Sequence, residues 1–247
     1  MDRMIYLAMS GAKQATELHA SIANNIANAS TTGFRSQITQ FQAVPVVGEE
    51  SATRAFVIAT TPGADFTPGP MNETGRPLDV AVRGDGWLVV QTPEGGEAYT
   101  RAGNLQVGAD GQVTTLAGQP VVGDAGPLVV PPGSSVSIAA NGLLTARGLG
   151  NAAAGLTQVG RLKLVNPPTS ELVRGDDGLF RMAGGLPPAD ADPDVSVASG
   201  FLEGSNVNPV QAMVDLIGAS RLLDMQMKAV QTADQNAQSA NKLLAAS

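Results

Sequence analysis

The chain has 247 residues and a mass of 25.1 kDa, enough for one large domain or two small ones with a true core. Fifteen basic residues against 22 acidic ones give a net charge of -7, which argues against nucleic acid as a partner, since that role needs a basic footprint. Absence of cysteine excludes disulfides, thiolate metal sites and cysteine nucleophiles, a single histidine leaves little for a His-rich metal centre, and 29 Gly with 16 Pro mark a turn-rich chain.

Residues 4–27 read as a first helix. Apolar or small residues recur at Ile5, Ala8, Ala12, Ala15, His19, Ile22 and Ile26, in alternating steps of three and four, with Leu18 flanking the row. The run Met4 to Met9 is only six residues long and follows a cancelling Asp2 and Arg3, so no cleaved signal peptide is expected. No stretch approaches the roughly 18 apolar residues that a membrane span needs.

Residues 31–75 are rich in Thr, Pro and Gly and fit neither helix nor sheet. They read as an extended, partly ordered connector with one strand over 54–60. From 76 to 205 short β-prone runs alternate with turn signals. Leu78 to Arg83 alternates, Gly84-Asp85-Gly86 turns into Trp87 to Gln91, and Val159 to Val165 alternates again. Asp110-Gly111 and Asn141-Gly142 sit between apolar runs as hairpin signals. An antiparallel all-β unit is the expectation here.

A second helix is expected over 209–245. Asn208 supplies a capping side chain and Pro209 a ring already set for the first helical position. Met213, Leu216, Ser220, Leu223, Met227 and Val230 recur at steps of three and four. At 1.5 Å per residue such a helix runs roughly 50 Å, longer than a core built from the rest would span. The charges of 1–30 cancel, as do those of 206–247. The expected fold is therefore α+β: the terminal segments 1–30 and 206–247 form a coiled-coil-like helical layer, partnering each other and other copies, and 76–205 forms the β domain. Isolated helices are marginal in water, so both ends are expected to be largely mobile in the monomer and to order only on assembly.

Chemistry-bearing motifs are few. Gly84-Asp85-Gly86 leads into a strand rather than a helix, so it lacks the geometry of a phosphate loop. Asp190, Asp192 and Asp194 alternate like calcium ligands, but Val195 and Phe201 stand where the loop would need Gly and Glu. His19 lies on the helical row as a packing residue, and no Gly-x-Ser-x-Gly elbow is present. No metal or cofactor is expected, and nothing argues for an enzyme.

The run Asn24-Asn25-Ile26-Ala27-Asn28-Ala29-Ser30-Thr31-Thr32-Gly33-Phe34-Arg35 resembles the N-terminal signature of the flagellar rod and hook proteins. Arg76 to Val90 resembles the entry to their β domain, and Tyr99-Thr100-Arg101-Ala102-Gly103-Asn104-Leu105 with Asp110-Gly111 continues it. Ser205-Asn206-Val207-Asn208-Pro209-Val210-Gln211-Ala212-Met213-Val214-Asp215 resembles their C-terminal signature. Length and opening are most similar to the proximal-rod members, although Ala29-Ser30 departs from the longer aliphatic and Asn that relatives often carry.

The resemblance implies a structural subunit of the bacterial flagellar basal body. It implies export through the flagellar type III apparatus without a cleaved signal, and stacking with other copies and other rod proteins into a hollow rod across the periplasm. A distal-rod or hook-type protein is the alternative; a secreted β-rich adhesin or glycan-binding module would not need charge-neutral seamed termini. The residues expected at assembly contacts are Ile5, Ala12, Leu18, Ile22 and Ile26 on the first helix, and Asn24, Asn25, Asn28, Gly33 and Phe34 at its exit. Asn206 and Asn208 precede the second helix, which adds Met213, Leu216, Leu223, Met227 and Val230. The three asparagines are poor helix formers; they serve either as a C-cap, with Asn28 left-handed, or as amides that bond neighbouring subunits. Gly33 is expected to supply a sharp exit, Phe34 an anchor, and Trp87 a core position.

Overall fold

The computed structural model describes residues 2–45, 55–59, 63–148 and 156–245. It contains helices at both ends and antiparallel strands between them, a mixed α+β chain. The chain divides into two compact units.

Unit 1 comprises Met1–Ala29, Gln37–Asp65 and Val207–Ser247. Its helices are α1, Asp2–Ala27, and α2, Pro209–Ala245, which pack on each other. The Asn208 side chain caps α2: its Oδ1 accepts the backbone N–H groups of Val210 at 3.0 Å and Gln211 at 3.2 Å. On α2 the buried and half-buried residues are Ala212, Leu216, Ala219, Ser220, Leu222, Leu223, Gln226, Val230 and Ala233. Leu216, Leu223 and Val230 stand where the sequence put them. Ser220 is half-buried as expected too, but at the other two positions the row falls one residue earlier, on Ala212 and Gln226, so Met213 and Met227 point into solvent. Small side chains explain the shift. Ala15, Ala212 and Ala219 are buried, and Gly11 lies so close to Gln226 that an added Cβ would sit 2.7 Å from its Oε1. Close approach selects the alanine row over the larger methionines, since interaxial distance follows the side chains at the contact.

The Thr/Pro/Gly-rich stretch contributes two antiparallel pairs to this unit. Gln37–Ile38 pairs with Gly63–Ala64, and Phe41–Pro45 with Ala55–Ala59, where the sequence suggested one strand in an extended connector. Arg54 and Thr60, the ends of that expected strand, lie outside the described residues. So does the side chain of Ile5, whose backbone is within α1.

Unit 2 comprises Ser30–Ser36 and Phe66–Asn206. Its main sheet runs in the order Leu164–Val165, Trp87–Gln91, Glu97–Thr100, Phe180–Met182, Leu172–Arg174, all antiparallel. Ser134–Ile138, Leu143–Gly148 and Thr157–Arg161 form a three-stranded meander turning at Asn141-Gly142, and Leu105–Val107 pairs with Val113–Thr115 around Asp110-Gly111. The run from Val159 to Val165 is shared between two sheets, because Leu162 and Lys163 donate to Gly142 and Val122 and turn the chain from the meander to the main sheet. Met71–Glu73 pairs with Phe201–Glu203, and Val80–Arg83 with Ser196–Ser199.

Alternation along the strand explains two distinct environments. Leu88 and Val90 enter the apolar core with Val80, Val82, Leu105 and Val113. Trp87 points to the opposite face and meets Phe180, ring centroids 4.8 Å apart, and Phe66, edge-on at 6.0 Å. That second face receives the chain segments leading to and from the helices. No helix among the described residues is long and apolar enough to cross a membrane.

Candidate assembly site

In unit 2, residues 33–36 follow α1 in the chain and residues 203–206 precede α2. They run side by side as two stems. Gly33 N–H donates to Glu203 O at 2.8 Å, Asn206 N–H to Phe34 O at 3.3 Å, and Ser36 N–H to Asn206 Oδ1 at 2.7 Å. The Asn206 amide donates onward to Thr67 O at 3.0 Å. Asn206 thus holds both stems together within one chain.

Beneath the stems lies a buried charge cluster. Arg35 Nη1 donates to Glu203 Oε1 at 2.7 Å, and Arg101 Nη1 to Glu203 Oε2 at 3.1 Å. Gly69 N–H also donates to Glu203 Oε1, at 3.0 Å. Arg35 reaches Thr67 O at 2.8 Å, and Arg101 reaches Gly84 O at 2.8 Å while its guanidinium lies 5.3 Å from the Trp87 ring centre. Burial pulls the Arg101 guanidinium below its ordinary value; Glu203 opposes that shift and Arg35 adds to it. Two cations share one carboxylate, with Asp85 acting on Arg101 from further away; backbone carbonyls and an aromatic face take up part of the remaining guanidinium surface, while the buried Nε of each arginine has no hydrogen-bond partner among the described residues. Phe34 is buried with the Arg174 guanidinium 4.4 Å above its ring, and Arg174 Nη1 donates to Arg35 O at 2.9 Å. Burial lowers the pKa of Arg174 as well.

The asparagines at the exit of α1 spend their amides inside the chain. The Asn25 Nδ2 donates to Gln37 O at 3.0 Å while its Oδ1 accepts Gln37 N–H at 2.7 Å, a two-bond match to an extended backbone in unit 1. Asn28 Nδ2 donates to Asn24 O at 2.9 Å. Asn28 is not left-handed: no described non-glycine residue has positive φ, and the sharp reversal falls at Gly33, with φ of 69°. Asn24 is exposed, whereas Ala12, Leu18, Ile22 and Ile26 are half-buried.

On α2 the exposed face is strongly apolar. Val210, Met213, Val214 and Ile217 are 71%, 55%, 59% and 55% exposed. Four large aliphatic side chains open to water within eight consecutive helical residues form a surface suited to another protein rather than to solvent.

Sequence reasoning gave no role to Arg101 or Glu203 and passed over Arg35 as the basic end of a motif. One signal was present: each is a charge set among small and apolar neighbours, Phe201-Leu202-Glu203-Gly204 and Thr100-Arg101-Ala102-Gly103.

Three family models match the chain: the flagella basal body rod protein over residues 5–35, the flagellar hook protein FlgE/F/G D1 domain over 81–146, and the flagellar basal body rod FlgEFG protein C-terminal region over 198–243. Each contains one member of the buried cluster, Arg35, Arg101 and Glu203 in that order. The chain is 51% identical to the flagellar basal-body rod protein FlgF of Escherichia coli K12, with both chains fully covered, and 50% identical to that of Salmonella typhimurium LT2, again over the whole of both. The flagellar basal-body rod protein FlgG of Agrobacterium fabrum is 34% identical over 90% of this chain and 92% of its own. The chain belongs to the flagellar basal-body rod protein family.

Proposed function

We propose that this chain is a structural subunit of the proximal rod of the flagellar basal body, with no catalytic step of its own. It polymerises with other copies and other rod proteins into a hollow shaft that transmits torque and passes exported subunits. The observation that carries this reading is the apolar face of α2 at Val210, Met213, Val214 and Ile217, left open although the opposite row already packs on α1. Each such side chain contributes roughly 1.5–3 kcal/mol when buried, so a neighbour that covers all four gains several kcal/mol.

On this reading α1 and α2 pack with those of neighbouring subunits into a coiled-coil-like layer. α1 and α2 already pack on each other in the single subunit, and burial against neighbours is expected to slow amide exchange in both helices further on assembly. The subunit reaches the periplasm through the flagellar type III export apparatus, with its N-terminus uncleaved. Identity to FlgF over the full length supports this assignment over a distal-rod or hook-type role.

Electron microscopy of basal bodies from cells lacking the gene tests the proposal. Truncated rods without hooks are expected, restored by the wild-type chain. Complete basal bodies in the deleted cells would overturn it.

A further inference from the structure

With no cysteine in the chain, its eight methionines carry all of its sulfur. Six of them, Met1, Met4, Met9, Met213, Met225 and Met227, fall in residues 1–27 and 209–245. On α2, Met213, Met225 and Met227 are 55%, 60% and 48% exposed, whereas Met182 of unit 2 is half-buried. Met9 on α1 and Met71 of unit 2 are comparably open at 55% and 45%, so exposure alone does not single out α2. Surroundings do. Met213 sits within the apolar set formed by Val210, Val214 and Ile217, while Met71 lies on the strand Met71–Glu73, whose three residues are all exposed.

We propose that Met213, Met225 and Met227 are oxidation sites of the unassembled subunit, and that a sulfoxide at Met213 closes the α2 face to a neighbouring subunit. The consequence for assembly rests on the rod reading above; the oxidation chemistry does not. The oxidant is a hydroperoxide. A thioether lone pair attacks the terminal peroxide oxygen, the S–O bond forms as the O–O bond breaks, and the leaving oxygen departs as water or alcohol after taking up a proton. Sulfur is oxidised by two electrons and the peroxide is reduced by two. The product turns a flexible apolar side chain into a polar one with a strong acceptor oxygen, which opposes burial against Val and Ile. Thiol-dependent sulfoxide reductases reverse the step, one enzyme for each sulfoxide epimer. The exposed state of the subunit, before a neighbour covers α2, is therefore the window in which oxidants act.

Peptide mass spectrometry of the full-length chain in hydrogen peroxide reads the chemistry. Sulfoxide at Met213, Met225, Met227 and Met71 is expected to form about fivefold or more faster than at Met182, with the thermal transition of the β unit unchanged. Rates on α2 no greater than at Met182 would overturn the assignment. In cells lacking the gene, a sublethal peroxide pulse during expression of the wild-type chain is expected to lower the count of basal bodies about threefold or more against the untreated culture, whereas Met213→Leu, which cannot be oxidised at that position, is expected to keep most of its own untreated count. Met71→Leu is expected to give no protection. Equal losses for wild type and Met213→Leu would overturn the assembly step. Complete basal bodies without any complementing gene would instead remove the rod reading while leaving the oxidation rates standing.

Discussion

Glu203 Oε1 and Arg35 Nη1 lie 2.7 Å apart with both side chains about 1% exposed, although 168 positions separate them in sequence (203 - 35). Glu203 also holds Arg101, so removing its charge leaves two guanidiniums buried without their counter-ion. Breaking a buried pair from one side costs about 3–5 kcal/mol. Glu203→Gln is therefore expected to lower the stability of unit 2 by that amount in urea unfolding. Arg35→Met leaves the Arg101–Glu203 pair intact and forfeits mainly the bonds to Glu203 and Thr67, a smaller loss of about 1–3 kcal/mol. The reverse order of the two variants would show that the carboxylate is not the centre of the cluster.

Local features were legible in sequence because a few adjacent residues determine them. Asn208-Pro209 starts α2 where expected, and Asn141-Gly142 turns a hairpin, since each acts on its own backbone. The Arg35–Glu203–Arg101 cluster was not legible. Its members come from three distant segments, and only tertiary structure brings them together. The α2 row fell between these cases. Periodicity found Leu216, Leu223 and Val230, but Ala212 and Met213 are both apolar, and a period cannot choose between neighbours. The packed helix makes that choice: Ala212 is buried and Met213 open, and Gln226 rather than Met227 lies against Gly11.

Gly33 and Gly75 separate backbone strain from packing. Their φ values are 69° and 68°, so an alanine at either meets the same left-handed penalty of about 1–2 kcal/mol. Around Gly75 the space is open within 4 Å, but a Cβ on Gly33 would run into the backbone of Arg101 and Ala102, which cannot yield as a side chain can. Gly75→Ala is expected to cost only the conformational term, and Gly33→Ala at least about 2 kcal/mol more, the scale of overpacking in a tight core. Equal melting temperatures for the two would mean that the stems relax freely at Gly33.

Asp177 and Arg181 give a pH-dependent contribution in unit 2. Both carboxylate oxygens accept guanidinium N–H groups, Oδ1 at 2.9 Å and Oδ2 at 2.6 Å, and this bonding holds the Asp177 carboxyl below its ordinary value. A depressed folded-state pKa contributes stability above the unfolded value of roughly 3.9 that is lost as pH falls through the folded value. With both side chains 39% exposed, solvent screening keeps the contribution under about 1 kcal/mol. Asp177→Asn is expected to be less stable than wild type at neutral pH and to converge with it in strong acid. A difference that widens below pH 4 would contradict the sign.

The two faces of α2 separate folding of unit 1 from assembly. Leu223 belongs to the half-buried row with Ala212, Leu216 and Ala219, whereas Ile217 is open to water. An aspartate at 223 forces a charge into an apolar contact that exists already in the single subunit, at a cost of several kcal/mol. Leu223→Asp is therefore expected to lose helical signal in far-ultraviolet circular dichroism while the β unit keeps its thermal transition. An aspartate at 217 meets only water in the monomer, so Ile217→Asp is expected to keep its circular dichroism and melting unchanged. In a head-to-tail array every subunit carries the lesion into its contact with the next, so the penalty accumulates along the polymer. Both variants are expected to restore no rods in cells lacking the gene, Leu223→Asp because unit 1 is not formed and Ile217→Asp because a formed unit 1 finds no partner. If Ile217→Asp restores normal swimming, the open face of α2 is not the surface through which the subunit assembles.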